Sequence, residues 1–365
     1  MFYVIKYYSK IKNMEIIMIV PVILFIVGLV LLIKGGDWFV DSATGIARRF
    51  HLPEILIGAT VVSIGTTLPE VMVSAQGALA GSGDMAYGNA IGSIICNTAL
   101  IAAITVAIRP GKVDRKALIV PVCFFFGAAA FYSAVSYITG RFSRTVGIIL
   151  LVTFVAYMLT TVLRMKKSSG LSADSIDDSH EPEVEEAADD YATLTTSKKI
   201  LAHITGKRTS VAREIIMLVV GAAVIAVGAT LLVDNGTIIA ERLGVPQSVI
   251  ALTFVALGTS LPELVTAITS LAKGHGALSL GNIIGANLFN LVLVSGVSVT
   301  LSPFDVPTGS MLFGHNASLV LDIPVMLGVM LILTIPAIIR KKLSRVQGIL
   351  LLAIYAAYCT IQFVM

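Results

Sequence analysis

Two short stretches of this 365-residue chain place hydroxyls, a proline and a carboxylate inside sequence that is otherwise apolar. The first is Gly65-Thr66-Thr67-Leu68-Pro69-Glu70; the second, 193 residues on, is Gly258-Thr259-Ser260-Leu261-Pro262-Glu263. Proline has no N–H for the carbonyl four residues back, so Pro69 and Pro262 are expected to break their helices and free the carbonyls of Gly65 and Gly258. Together with the hydroxyls of Thr66, Thr67, Thr259 and Ser260 and the carboxylates of Glu70 and Glu263, these are hard oxygen donors. Such donors suit Ca²⁺ or Na⁺ and not zinc or copper. An ionisable group in an apolar span is costly and marks function by default. Unwound backbone at that depth is tolerated only where protein buries it or where it lines a water-filled cavity.

A companion pattern follows each stretch. In Gly88-Asn89-Ala90-Ile91-Gly92-Ser93-Ile94-Ile95-Cys96-Asn97 the polar residues Asn89, Ser93 and Asn97 recur every four positions and share one helix face. The second copy offers Asn282, Ala286 and Asn290. Gly88 with Gly92, and Gly281 with Gly285, form small-xxx-small faces that favour close helix approach. Packing explains the glycines but leaves a regular amide face without a partner, so Asn97 and Asn290 are candidate cation ligands.

The elements that must position these residues are membrane helices. Apolar residues make up 56% of the chain and charged residues 13%, about half the usual share of a soluble domain, and the mean hydropathy is +0.91. Runs long enough to cross about 30 Å of hydrocarbon fall near 16–34, 53–80, 86–108, 117–138 and 144–164, then near 213–234, 246–272, 277–301, 317–339 and 343–364. Strands are not expected to span, since open sheet edges are not tolerated in lipid and no alternating barrel pattern occurs. Cys96, Cys123 and Cys359 lie in apolar runs without CxxC spacing, which reads as core packing and not as a zinc site or a disulfide framework. The net charge of +4 comes from loop residues, so no nucleic-acid partner is implied.

The two groups of five spans are copies. The 193-residue offset also relates Gly28 to Gly221, Gly35 to Gly228, Asp41 to Asp234, Pro53 to Pro246, Asn89 to Asn282, Asn97 to Asn290 and Pro110 to Pro303. Later it becomes 201, relating Ser143-Arg144 to Ser344-Arg345, which places an insertion of eight residues near 302–316. Five is odd, so the second copy enters the membrane from the opposite side. The expected fold is an all-α integral membrane protein of ten transmembrane helices, arranged as two inverted five-helix repeats with interrupted helices at the midplane. The halves are 14–164 and 213–365. Between them, 165–212 carries nine of the 22 acidic residues and cannot bury a core, which reads as a disordered linker. Lys6, Lys10 and Lys12 before an apolar run imitate a signal peptide, but the run's length and the missing cleavage site argue for a retained span; Met14 is an alternative start.

Orientation follows the basic residues. One side holds two at 48–49, four at 109–116, eight at 164–213, Lys273 and four at 340–345, against six on the other side. Both termini are then outside, and the acidic linker is cytoplasmic.

The doubled G-T-[ST]-L-P-E, each copy followed by G-N-x-x-G-x-x-x-x-N, resembles the alpha repeats of the cation/calcium antiporters, specifically the prokaryotic sodium/calcium exchanger branch. The resemblance implies that Thr66, Thr67, Glu70, Ser93 and Asn97 form one half of an ion site and Thr259, Ser260, Glu263 and Asn290 the other. It also implies ligation by the backbone carbonyls of Ser63 and Ala256, and long first and sixth helices that slide as a gate, which the glycines at 28, 35, 221 and 228 fit. Thr67 stands where the family usually has Ser, Ile94 where Asn is common, Ala286 where relatives place a Ser near an outer sodium ion, and Asn290 where some carry Asp.

The reading that follows is an antiporter in a prokaryotic plasma membrane, extruding Ca²⁺ for Na⁺. It needs no cofactor beyond the transported ions, no nucleic acid and no obligate protein partner, with membrane lipid as its surroundings. A proton/calcium exchanger using the same glutamates is the nearest alternative, and a cation channel a more distant one. An enzyme is not expected, because the sequence lacks an intramembrane His-Glu zinc motif or a Ser/His dyad; His203, His275 and His315 fall in expected loops and His51 at a span end.

Overall fold

The computed structural model describes residues 2–50, 52–173, 210–243 and 258–364. Ten helices follow in order: α1 Phe2–Arg49, α2 Glu54–Leu79, α3 Gly83–Ile108, α4 Arg115–Thr139, α5 Arg144–Ala173, α6 Val211–Arg242, α7 Leu261–Ala272, α8 Gly276–Leu301, α9 Ser318–Arg340 and α10 Arg345–Val364. Among the described residues nine are long and apolar enough to cross a membrane. The tenth, α7, is the described end of the expected seventh span; 246–257 lie outside the described residues. The expected linker also lies mostly outside them, and α5 runs nine residues past its expected end at 164.

The repeats show themselves in local detail. After α2, Gly81 takes a left-handed φ of 78° and Ser82 N–H donates to the Gly77 carbonyl at 2.8 Å. After α7, Gly274 takes φ 84° and His275 N–H donates to the Ser270 carbonyl at 2.7 Å. Both are helix C-caps of the six-to-one kind, built on a glycine that tolerates positive φ. Every residue of one cap lies 193 positions from its counterpart.

The centre of the molecule is made by α2, α3 and α8, the most enclosed helices, while α1, α5, α6 and α10 present apolar side chains outward. At the α2–α8 crossing, backbone meets backbone. A Cβ on Gly58 would meet the Leu278 carbonyl, one on Gly281 the Ile55 carbonyl, and one on Gly285 the Ser63 hydroxyl and Ala59. The expected close approach therefore holds for the second pair of glycines. Nothing described comes within 4 Å of a Cβ on Gly88 or Gly92. The positions that correspond by symmetry to Ile55 and Ala59 are 248 and 252, both outside the described residues.

The first and sixth helices outrun their expected ends at 34 and 234. α1 continues through Lys34, Asp37 and Asp41 to Arg49. Hydropathy stopped the expected span at Lys34, but the charges beyond it are matched: Lys273 Nζ lies 2.7 Å from Asp41 Oδ1 and 3.2 Å from Asp37 Oδ1. Near the same end Arg49 pairs with Glu214 at 3.9 Å, and His275 Nδ1 lies 2.8 Å from Glu54 Oε1. The two long helices cross at their glycines, where a Cβ on Gly28 would lie 2.8 Å from the Gly228 carbonyl oxygen and one on Gly35 3.1 Å from that of Gly221.

Short strands occur only in loops among the described residues. β1 (Arg141–Phe142) pairs antiparallel with β2 (Phe304–Asp305), tying the α4–α5 loop to the α8–α9 loop. On the opposite face Val113 N–H donates to the Lys341 carbonyl and Leu343 N–H to that of Gly111, both at 2.9 Å, the equivalent tie under the inverted symmetry. The expected insertion forms a hairpin of β3 (Met311–Leu312) and β4 (His315–Asn316), turned by Phe313 and Gly314 at φ 49° and 79°. Cys96 is buried as expected, whereas Cys123 is exposed on α4 and Cys359 is half-buried, so core packing does not account for all three.

Candidate ion-binding site

Glu70 and Glu263 are both fully buried, 0% exposed, and their carboxyl groups lie beside each other. Glu70 projects from mid-α2, whereas Glu263 stands in the first turn of α7, where the helix dipole favours a carboxylate. Here the two copies differ in backbone. Pro262 sits at the start of α7 after a turn at Thr259-Ser260, as a helix-breaking proline should. Pro69 lies inside a continuous helix, so the expected break at that point does not occur. The missing N–H is absorbed, and the irregularity of α2 falls earlier, in a π-helical turn at Gly58–Val62. Such turns are frequent at functional sites.

Two further π-helical turns begin at the candidate amides themselves, Asn97–Ala102 in α3 and Asn290–Val294 in α8. Sequence reasoning missed these turns. No residue type marks a π turn, and only the matching positions of the two Asn residues hinted at shared geometry.

Six residues combine burial without ordinary hydrogen bonds with the symmetry of the repeats. Thr67 Oγ1, both Glu70 carboxylate oxygens, both Asn97 side-chain amide atoms, Ser260 Oγ, both Glu263 carboxylate oxygens and both Asn290 amide atoms are buried and make no hydrogen bond of ordinary geometry, although the two carboxyl groups adjoin each other, the Thr66 hydroxyl adjoins Glu263 and the Cys96 thiol adjoins Ser260. These ten atoms come from six residues, three per repeat, and each residue is related to its counterpart by the 193-residue offset. Buried polar groups are normally paired, and leaving one unpaired costs about 1–3 kcal/mol. A symmetric set of them is the signature of groups aimed at a ligand. Eight of the ten atoms are oxygens, within the six to eight that Ca²⁺ takes, and the two carboxylates match its charge.

The outer hydroxyls are held differently. Thr66 Oγ1 donates to Asn282 Oδ1 and Thr259 Oγ1 to Asn89 Oδ1, both at 3.2 Å, so each repeat's threonine is clipped by the other repeat's asparagine. Each asparagine also donates back to its own repeat: Asn89 Nδ2 to Ser74 Oγ at 2.7 Å and to the Glu70 carbonyl at 3.2 Å, and Asn282 Nδ2 to Thr266 Oγ1 at 2.9 Å. The amide face that had no partner in the sequence thus divides. Its first member locks the repeats together, and its last is buried without a partner. A hydroxyl that donates outward keeps its lone pairs for a cation. Ser63 Oγ reaches the Gly58 and Asn282 carbonyls at 2.7 and 2.9 Å. Ser93 is buried one turn before Asn97, Ala286 is fully buried at the equivalent place, and Ala256 lies outside the described residues.

Two inverted five-helix repeats sharing a buried, oxygen-lined, dicarboxylate centre define an ion-transporting membrane protein of the exchanger class, not an enzyme. The family described as "Sodium/calcium exchanger protein" matches residues 20–163 and 213–364, and this chain belongs to it. It is 32% identical over 289 residues to the inner membrane protein YrbG of Escherichia coli, covering 79% of this chain and 82% of that one. To the sodium/calcium exchanger MaX1 of Methanosarcina acetivorans it is 28% identical over 365 residues, covering 93% and 98%. A solved structure of the sodium-calcium exchanger NCX_Mj superposes with a TM-score of 0.71 at 31% identity, covering 93% of this chain and 98% of that one.

Proposed function

We propose that this protein is a secondary-active antiporter that extrudes Ca²⁺ from the cytoplasm in exchange for Na⁺ by alternating access, with Glu70 and Glu263 as the central ligands. The observation that carries the reading is the symmetric set of ten buried polar atoms without ordinary hydrogen bonds, four of them the oxygens of two adjacent carboxyl groups. MaX1 and NCX_Mj are named as sodium/calcium exchangers, which supports the choice of ions.

The coupling follows from electrostatics. Two ionised carboxylates side by side in a low-dielectric site cost several kcal/mol per ion unless cations compensate them. One Ca²⁺ compensates both, and Na⁺ ions do so in its place. Because the same oxygens serve either cargo, occupation is mutually exclusive and the fluxes are linked. Thr67, Asn97, Ser260 and Asn290 complete the inner shell. Thr66, Thr259 and Ser93 contribute from its rim, and the carbonyls of Ser63 and Ala256 cap it. The halves 14–164 and 213–365 each supply one side, with the linker 165–212 cytoplasmic and both termini outside.

The test is Ca²⁺ uptake into vesicles driven by an outward Na⁺ gradient, with the membrane voltage clamped. The expected result is uptake that collapses when the Na⁺ gradient is removed at fixed pH. Uptake indifferent to Na⁺ but driven by a pH gradient would replace this reading with proton/calcium exchange, and absence of counterflow would replace it with a channel.

A further inference from the structure

A cavity of mixed apolar and polar lining, which includes neither Glu70 nor Glu263, lies on the face that carries the α3–α4, α7–α8 and α9–α10 loops. It has a volume of about 260 Å³ and is walled by both repeats, with Arg109, Lys112 and Asp114 on one side and Gly276, Ala277 and Ser279 on the other. Gly276 and Ala277 are the first residues of α8, and the residue before them, His275, offers that helix no side-chain cap. Its ring is engaged instead by Glu54 at 2.8 Å. The first-turn amides of α8, which belong to the cavity-lining residues Gly276 and Ala277, are therefore uncapped by the His275 side chain and carry the positive end of the helix dipole.

Ser279 supplies an independent sign. Its side chain is 2% exposed, it lines the cavity, and its Oγ has no hydrogen-bond partner. A hydroxyl in a helix ordinarily donates back to the carbonyl four residues earlier, as Thr60, Thr266 and Ser298 do here. Ser279 does not.

The charges around the cavity divide unequally. Asp114 spends Oδ1 capping α4, accepting from Lys116 N–H at 2.9 Å. Arg109 makes one long bond of 3.4 Å to the Leu271 carbonyl, and neither it nor Lys112 is in an ion pair among the described residues.

We propose that this cavity binds a phosphate-type oxyanion. The Ser279 hydroxyl and the first-turn amides of α8 would donate to it from the second repeat, and Arg109 and Lys112 from the first. Helix N-termini with a hydroxyl and cations are ready-made sites for such anions. The ligand joins the α3–α4 loop to the α7–α8 turn, and so stabilises the contact between repeats at this face. Its chemistry is shared by two sources, free inorganic phosphate and the headgroup of an anionic lipid, whose density is high at a cytoplasmic leaflet.

The test reads binding and not transport, so it stands apart from the exchange reading. Thermal unfolding of the full-length chain in neutral detergent is followed while potassium phosphate replaces potassium chloride at constant ionic strength. In parallel, the chain is placed in phosphate-free nanodiscs of phosphatidylcholine alone or with phosphatidic acid. The expected result is a saturable rise in Tm in at least one arm. Loss of one charge-assisted bond in Ser279→Ala or Lys112→Gln should raise the half-saturating concentration about tenfold or more. Lys112 is an exposed loop residue, so its variant carries the test if Ser279→Ala does not fold. A shift with phosphate alone assigns the free anion; a shift with phosphatidic acid, whether or not phosphate also acts, assigns the headgroup. Equal Tm values in both arms, or a shift that survives both substitutions, overturns the proposal.

Discussion

At the scale of the residue, the central glutamates carry the sharpest expectations. Glu70→Gln and Glu263→Gln each keep the shape of the side chain and remove one of the two charges available to compensate a divalent ion. Each is expected to reduce Na⁺-driven Ca²⁺ uptake to background while the purified protein stays monodisperse. Near-normal uptake by either variant would sink the ligand assignment. Ala286 tests a finer point. It is fully buried in α8 one turn before Asn290, where the first repeat has Ser93. Ala286→Ser adds one oxygen at nearly constant volume, so it is expected to lower the Na⁺ concentration for half-maximal exchange while barely altering Ca²⁺ affinity. Unchanged Na⁺ dependence at saturating Ca²⁺ would mean that position 286 does not face a sodium ion.

At the scale of the element, two contacts hold the helices that frame the site. The first is the reciprocal clip between repeats. Asn282→Ala removes the acceptor of Thr66, which still has the Ser63 carbonyl to donate to, and the donor to Thr266, whose hydroxyl keeps its own bond to the Pro262 carbonyl. The expected loss is therefore modest, about 1 kcal/mol, read as a lower Tm. A loss as large as a core cavity would mean that the clip holds more than two hydroxyls. The second is the glycine crossing of α1 and α6. A Cβ at Gly228 would lie 2.9 Å from both the Gly28 carbonyl oxygen and the Leu32 amide nitrogen, backbone atoms that cannot turn aside. Gly228→Ala is expected to force the helices apart and cost about 1–3 kcal/mol, the usual range for overpacking. Thermal unfolding indistinguishable from the parent would show that the crossing is looser than its geometry.

At the scale of the whole molecule, the repeats meet through their centres and through paired loops, while the segment 170–195 is rich in acidic residues and too polar to bury a core. Removing 170–195 is accordingly expected to leave a membrane-inserted protein with Na⁺-dependent Ca²⁺ exchange intact. Loss of basal exchange by a variant that still reaches the membrane would assign the acidic segment a part in the mechanism.

Much of this architecture was legible before any coordinates. The cost of polar groups in hydrocarbon restricts where charges and prolines stand, so Glu70, Glu263 and their neighbours stood out against their apolar surroundings, and the 193-residue offset paired them. An odd number of spans per copy then required inversion. By itself the sequence determined the inverted repeats, the all-helical membrane class and the family. Periodicity reports which residues share a face of their own helix, and it does not report what another helix brings to that face. Only the tertiary structure decided that Asn89 and Asn282 clip the opposite repeat while Asn97 and Asn290 remain without partners, that α2 passes Pro69 unbroken, and that α1 runs on through Asp37 and Asp41. For the clip and for α1 the deciding group, a threonine or Lys273, is brought by long-range packing, to which a local reading of residue types has no access.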